Sequence, residues 1–162
     1  MKKIILIRHA KSSWNAPLND IDRPLTKSGI LAAHQVATTV VDLMPKAYLV
    51  WCSMAKRTTE TAIIFAQNCS FPLDNIHIIP ELYTFDVFDF EKIIKNCDDQ
   101  CDNLVVFGHN QAITDFVNKF GSQYIDNVPT AGFVAIRFEN DSWKTIENGT
   151  TENIIFPEKQ LQ

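Results

Sequence analysis

Two kinds of segment take turns along this chain, and their alternation restricts the fold more than any other feature. Ile4–Ile7, Tyr48–Trp51, Ile76–Ile79 and Leu104–Phe107 are short, apolar and rich in β-branched or aromatic residues. Continuous runs of that kind suit strands buried on both faces. Between them lie stretches with helical spacing. Ile30, Ala33, Ala37, Val40, Val41 and Met44 form one apolar stripe, with Thr26 or Ser28 as its cap and Pro45 beyond its end. Ala55, Thr58, Thr59, Ala62 and Phe65 form a second stripe, and Phe90, Ile93, Ile94 and Cys97 a shorter third. Ile113, Phe116, Val117 and Phe120 form a fourth, which Gly121 is placed to stop. The pattern predicts an α/β three-layer sandwich, with a mainly parallel central sheet flanked by helices. Phe133–Phe138 and Trp143–Ile146, joined around Asn140-Asp141, read as a hairpin that finishes the sheet.

The 162 residues are 46% hydrophobic, enough to fill one core, and no repeat or linker divides them. The expectation is a single domain over residues 1–162, its polar tail (149–162) pinned to the body by Ile154–Phe156. A net charge of −4 argues against a nucleic-acid partner, which needs a basic footprint. No segment approaches the roughly 18 unbroken apolar residues of a membrane span. The apolar run after Lys3 ends at Arg8, too soon for a signal peptide. A cytoplasmic chain is therefore expected, with Cys52, Cys69, Cys97 and Cys101 reduced. Cys97 and Cys101, four apart, fall short of a zinc site, and there is no GxxxxGK[ST], GxGxxG or HExxH. Neither a metal nor a cofactor is expected.

In open α/β sheets ligands bind beyond the carboxyl ends of the strands. Arg8 and His9 follow the first run; Cys52, Ser53 and then Arg57 follow the second; Pro80 and Glu81 follow the third; Gly108, His109 and Asn110 follow the fourth. Two arginines, two histidines and a carboxylate thus converge on one edge. Paired guanidinium forks match the planar oxygens of a phosphoryl group, and amides at the start of the fourth helix are further donors. Nearby cations disfavour protonated histidine, which leaves a neutral imidazole able to attack phosphorus and carry it covalently. The residues read as a site for phosphoryl transfer through a histidine nucleophile.

Leu6-Ile7-Arg8-His9-Ala10-Lys11-Ser12-Ser13-Trp14 resembles the opening of the histidine phosphatase superfamily, whose fold is phosphoglycerate-mutase-like. Ala10, where that family usually has glycine, is similar to the short bacterial branch of SixA-type phosphohistidine phosphatases. Asp22-Arg23-Pro24-Leu25-Thr26 with Gly29, the stretch from Ser53 to Arg57 with Thr61, Phe107-Gly108-His109-Asn110, and Pro129-Thr130-Ala131-Gly132 resemble that branch in the same order. The likeness runs from residue 3 to about residue 138. It implies that His9 is the phosphorylated nucleophile, and that Arg8, Arg57 and His109 hold the phosphoryl oxygens. It also implies phosphate contacts for Asn15, with Lys11 and Ser12 close enough in sequence to join them.

One departure bears on the substrate. Ester-cleaving members carry an acid two positions past the leucine that follows the third strand, and here Leu82 puts Thr84 there. Threonine does not protonate an alkoxide usefully; Glu81 or Asp86 is the candidate general acid if one exists. Imidazole leaves more readily than an alkoxide, so a phosphoramidate needs less help. The substrate expected is therefore phosphohistidine on a protein, in a site that a small phosphorylated compound can also enter. The alternatives are a small-molecule phosphomonoesterase or mutase, and a phosphate-binding module without turnover. The stretch Lys11–Leu25 is the longest loop and the main candidate for a lid.

Overall fold

The computed structural model describes residues 1–15 and 17–162. It contains six strands, β1 (Lys2–Arg8), β2 (Leu49–Cys52), β3 (Ile76–Ile78), β4 (Asn103–Gly108), β5 (Phe133–Phe138) and β6 (Thr150–Ile155). The longer helices are α1 (Lys27–Val40), α2 (Lys56–Cys69), α3 (Val87–Lys95) and α4 (Ala112–Phe120). The strands form one sheet in the order β3-β2-β4-β1-β5-β6. β1, β2, β3 and β4 run parallel, and β5 and β6 add an antiparallel flank.

Alternation along β1 builds both cores. Ile4 and Leu6 face Phe90 and Ile94 of α3 and Ile113, Phe116 and Val117 of α4. Ile5 and Ile7 face Val36, Ala37 and Val40 of α1 and Ala62 and Phe65 of α2. Strands buried on both faces leave no room for polar positions, which is why Ile4–Ile7 is an unbroken apolar run. Full burial of each such side chain contributes about 1.5–3 kcal/mol. The three-layer arrangement is the one expected from the alternating pattern.

Caps and close contacts fix where the helices start. Thr26 Oγ1 accepts the Gly29 amide at 3.0 Å and caps α1. Gly29 itself is packed so tightly that a Cβ there would lie 2.2 Å from the Lys11 carbonyl oxygen. α1 therefore begins directly against the chain that leaves β1. The stripe is shifted slightly from the expected one, since Ile30 and Val41 are exposed while Ala32 and Val36 are buried.

Two expectations need correction. β3 is an edge strand with His77 and Ile78 exposed, not a strand buried on both faces. The partner of β5 is not Trp143–Ile146. Trp143–Thr145 is a 3-10 turn, with the Trp143 indole buried and its Nε1 donating to the Cys101 carbonyl at 2.7 Å. The segment read as tail supplies β6, which pairs antiparallel with β5 around a bulge at Ala135/Ile136. Trp143 is drawn off the sheet by this indole contact and by its amide bond to Asp99 Oδ1 at 2.9 Å.

Candidate active site

The register of the sheet assembles the site. Arg8 pairs with Gly108 across β1 and β4, so the residues that follow, His9 and His109, emerge side by side. The His9 amide donates to the Gly108 carbonyl at 3.1 Å, and the two imidazole centroids are 5.3 Å apart. On the other side of β4, Cys52 pairs with Phe107, and the Ser53 amide donates to the Phe107 carbonyl at 3.1 Å. Ser53 thereby lies next to His109, with its Oγ 2.8 Å from His109 Nε2. One turn into α2, Arg57 turns back toward the same point, its Nη2 at 3.5 Å from His109 Nδ1. Thr61 joins these pieces, accepting the Ala10 amide at 3.0 Å and donating to the Arg57 carbonyl at 2.7 Å.

His9, Arg57, Ser53 and His109 are buried, and Arg8 is half-buried. His9 Nδ1 lies 2.7 Å from the Ala10 carbonyl oxygen. A carbonyl only accepts, so Nδ1 carries the hydrogen and Nε2 keeps its lone pair. Burial first, then the charges of Arg57 and Arg8, pull the His9 pKa down to about 3. The same causes, burial first and then His9 and Arg57, bring His109 down to about 3. Both rings are neutral near pH 7, and His9 keeps an unprotonated Nε2. Arg8 Nη1 donates to the Val128 carbonyl at 2.9 Å, while its Nε is buried with no partner among the described residues. A buried unpaired donor costs about 1–3 kcal/mol, and an anion beside it would remove that cost.

The other sequence candidates separate. Ser12 is buried but accepts from Arg23 Nη2 at 2.6 Å. Lys11 and Asn15 are exposed, and what ties Lys11 to the core is its carbonyl, bound by the Thr26 amide at 2.9 Å. Asp86 caps α3, accepting the Phe88 amide at 2.7 Å and the Asp89 amide at 3.4 Å. Glu81 is exposed and makes no hydrogen bond among the described residues to Arg8, His9, Arg57 or His109. Thr84 donates to Asp89 Oδ2 at 3.3 Å. The four residues Arg8, His9, Arg57 and His109 are brought together; the two candidate acids are not bonded to them.

The carboxylate that does reach the site is one the sequence did not single out. Asp20 lies in a 3-10 turn, Asp20–Asp22, within the long loop after β1. Its Oδ2 accepts from Arg57 Nη2 at 3.0 Å and from the Tyr83 hydroxyl, its Oδ1 accepts from Arg23 Nη1 at 3.0 Å, and its carbonyl accepts from Arg57 Nη1 at 2.7 Å. Tyr83 and Phe85 wall the site, each ring centroid 5.4 Å from that of His109. None of these carries a local signal, because only the fold makes the 63-residue span between Asp20 and Tyr83 a contact. The nearest hint was position, two residues before Asp22-Arg23-Pro24.

The sequence profile described as histidine phosphatase superfamily (branch 1) matches residues 4–118. An uncharacterized chloroplastic protein of Arabidopsis thaliana is 30% identical over 152 residues, covering 88% of this chain and 69% of that protein. The protein histidine phosphatase SixA, in a structure with tungstate, superposes with a TM-score of 0.80 at 17% identity, covering 96% of this chain and 97% of that one. SixA from Agrobacterium tumefaciens superposes with a TM-score of 0.79 at 19% identity, covering 96% of this chain and 98% of that one. At those identities the superpositions speak for the fold, and the sequence match speaks for descent. The strand-end histidines and arginines, the sheet that aligns them and the profile over residues 4–118 lead to one assignment: the chain belongs to branch 1 of the histidine phosphatase superfamily.

Proposed function

We propose that this protein hydrolyses phosphohistidine carried on a protein, through a phosphoryl intermediate on His9 and without a metal. The observation that carries the reading is the fixed tautomer of His9, whose Nδ1–H is held by the Ala10 carbonyl at 2.7 Å. The Nε2 lone pair attacks phosphorus, and the P–N bond of the substrate breaks in line with the new bond. The departing imidazole takes a proton from solvent. Water then attacks the phosphoryl group on His9, which releases inorganic phosphate and returns the neutral ring. Arg8, Arg57 and His109 surround the equatorial oxygens and stabilise the charge that gathers there. The unpaired Arg8 Nε is a donor ready for one of those oxygens.

The leaving group supports the P–N substrate. An alkoxide needs a proton in the transition state, whereas an imidazole departs with less assistance. Asp86 is engaged in capping α3, and Thr84 occupies the position at which ester-cleaving relatives are expected to place an acid. Asp20 is held ionised, its pKa pulled down to about 2 by hydrogen bonds from Tyr83, Arg23 and Arg57, so it has no proton to give near pH 7.

The test is hydrolysis of phosphohistidine beside an alkyl phosphate at one pH with a chelator present. Preference for the P–N bond, undiminished by chelator, is expected. Preference for the ester would overturn the substrate assignment and point to Glu81 as acid. Phosphate binding without turnover of either would leave a binding module.

A further inference from the structure

We propose that Asp20 is a positioning residue for the phosphoryl site: it grips the outer edge of Arg57 so that the inner N–H groups of the guanidinium stay aimed at the space beside His9 and His109. The inference rests on the phosphoryl-transfer reading above and assigns a role to a residue outside the Arg8, His9, Arg57 and His109 set.

Arg57 reaches the site on a long stem that has many rotamers, so its aim has to be set by what it touches. Asp20 touches it twice. The carbonyl takes Nη1 at 2.7 Å and Oδ2 takes Nη2 at 3.0 Å. Nη2 has a second hydrogen, which points toward His109 Nδ1 at 3.5 Å. One residue therefore holds the Nη1/Nη2 edge of the guanidinium, and a bidentate phosphoryl contact would use the adjacent edge, formed by Nε and the Nη2 hydrogen on the His109 side.

Asp20 is itself held firmly. Its Oδ1 accepts from Arg23 Nη1 at 3.0 Å, and Oδ2 also accepts from the Tyr83 hydroxyl. Arg23 is anchored in turn by the Ser13 carbonyl at 3.0 Å and by Ser12 Oγ at 2.6 Å, and the exposed Trp14 ring stacks on its guanidinium. The bonds join the chain just past His9, the 3-10 turn, α2 and the segment after β3. A carboxylate with donors on both oxygens, from three side chains, is a fixture of the site and is not a loosely placed occupant that the substrate displaces. It also sets one negative charge against the two guanidinium groups of Arg23 and Arg57.

The experiment compares wild type with Asp20→Ala, Asp20→Asn and Tyr83→Phe, reading inorganic phosphate binding by calorimetry, kcat and KM on phosphohistidine, and thermal unfolding. Asp20→Ala is expected to weaken phosphate binding tenfold or more and to lower kcat, with cooperative unfolding retained. Asp20→Asn keeps an acceptor for Arg57 Nη2 and should fall between Asp20→Ala and wild type; Tyr83→Phe removes one donor and should have the smallest effect. Phosphate binding by Asp20→Ala equal to wild type would overturn the proposal. Tighter binding would overturn it as well, because it would mean that the carboxylate competes with the ligand for Arg57. A wild-type protein that binds no phosphate would instead sink the phosphoryl-site reading, so the two failures are told apart.

Discussion

His9 and His109 lie ring to ring, with centroids 5.3 Å apart, because Arg8 and Gly108 are register partners in adjacent parallel strands. Neighbouring strands are about 4.8 Å apart, so the spacing of the two imidazoles is essentially the spacing of the sheet. The pair follows two strands that are each bonded to a neighbour on both sides, so side-chain substitutions there test chemistry with little disturbance of the backbone.

Arg57→Ala should lower kcat on phosphohistidine by about 10²–10³-fold, the usual effect of losing one preorganised oxyanion donor. Arg57→Lys should recover only part of the loss, since an ammonium is a point charge and does not span two oxygens. Steady-state kinetics on the two variants is the check, and near-wild-type turnover by Lys would mean that charge alone is required.

Thr84→Asp should raise hydrolysis of an alkyl phosphate while leaving phosphohistidine turnover within a few-fold. Thr84 lies between Tyr83 and Phe85, the two rings that wall His109. An acid there offers the proton an alkoxide needs. No gain on the ester would show that position 84 does not face the leaving group.

Stability should fall as the pH drops below neutrality. The folded pKa values of His9 and His109 are depressed to about 3, from 6.5 in the unfolded chain. Below 6.5 the unfolded state binds protons that the folded state does not, so stability is lost progressively as pH falls from 6.5 toward 3. Between pH 6.5 and pH 4.5 the effect is on the order of 5 kcal/mol for the two rings together. Urea unfolding of wild type and His109→Asn at pH 7 and pH 4.5 checks the sign: the gap between the two pH values should narrow in the variant.

Gly29→Ala should destabilise by about 1–3 kcal/mol through overpacking, although alanine ordinarily favours a helix over glycine. The added Cβ would meet the Lys11 carbonyl oxygen at 2.2 Å, two residues beyond His9. Activity should drop with stability, and a stabilised variant on urea titration would contradict the packing.

Cys101 should react first with iodoacetamide, and Cys52 should not react in the native protein. Burial pushes the Cys52 thiol up to about 12. Contact with the Cys97 thiol, and more weakly the Lys2 ammonium, pulls Cys101 below the ordinary thiol value. A hollow of about 470 Å³ lies beside Cys101 at the end of the sheet away from the histidines. Peptide mass spectrometry after brief labelling distinguishes the thiols.

The parts of this molecule legible in its sequence are those in which local pattern and tertiary role coincide. Ile4–Ile7 reads as a buried strand because both of its faces are apolar, and the strand ends carry Arg8, His9 and His109 wherever the sheet places them. Trp143–Ile146 misled because a fully buried indole resembles a strand residue, while the true partner of β5 is a half-exposed polar stretch, Thr150–Ile155, with little apolar signal. Asp20 was hidden for a different reason. Its role comes from reaching Arg57, 37 positions away, and no spacing rule reports on that.

β1 has no early partner. It is bonded to β4, whose residues lie about 100 positions downstream, and to β5, farther still. A chain emerging from synthesis therefore carries β1 without these partners until β4 has been made, and such distant pairings form slowly. His9 meets His109 only when that seam closes. Fragments ending before β4 lack the second histidine, so the reactive pair is a late product of assembly, and its chemistry reports that the central sheet has been completed.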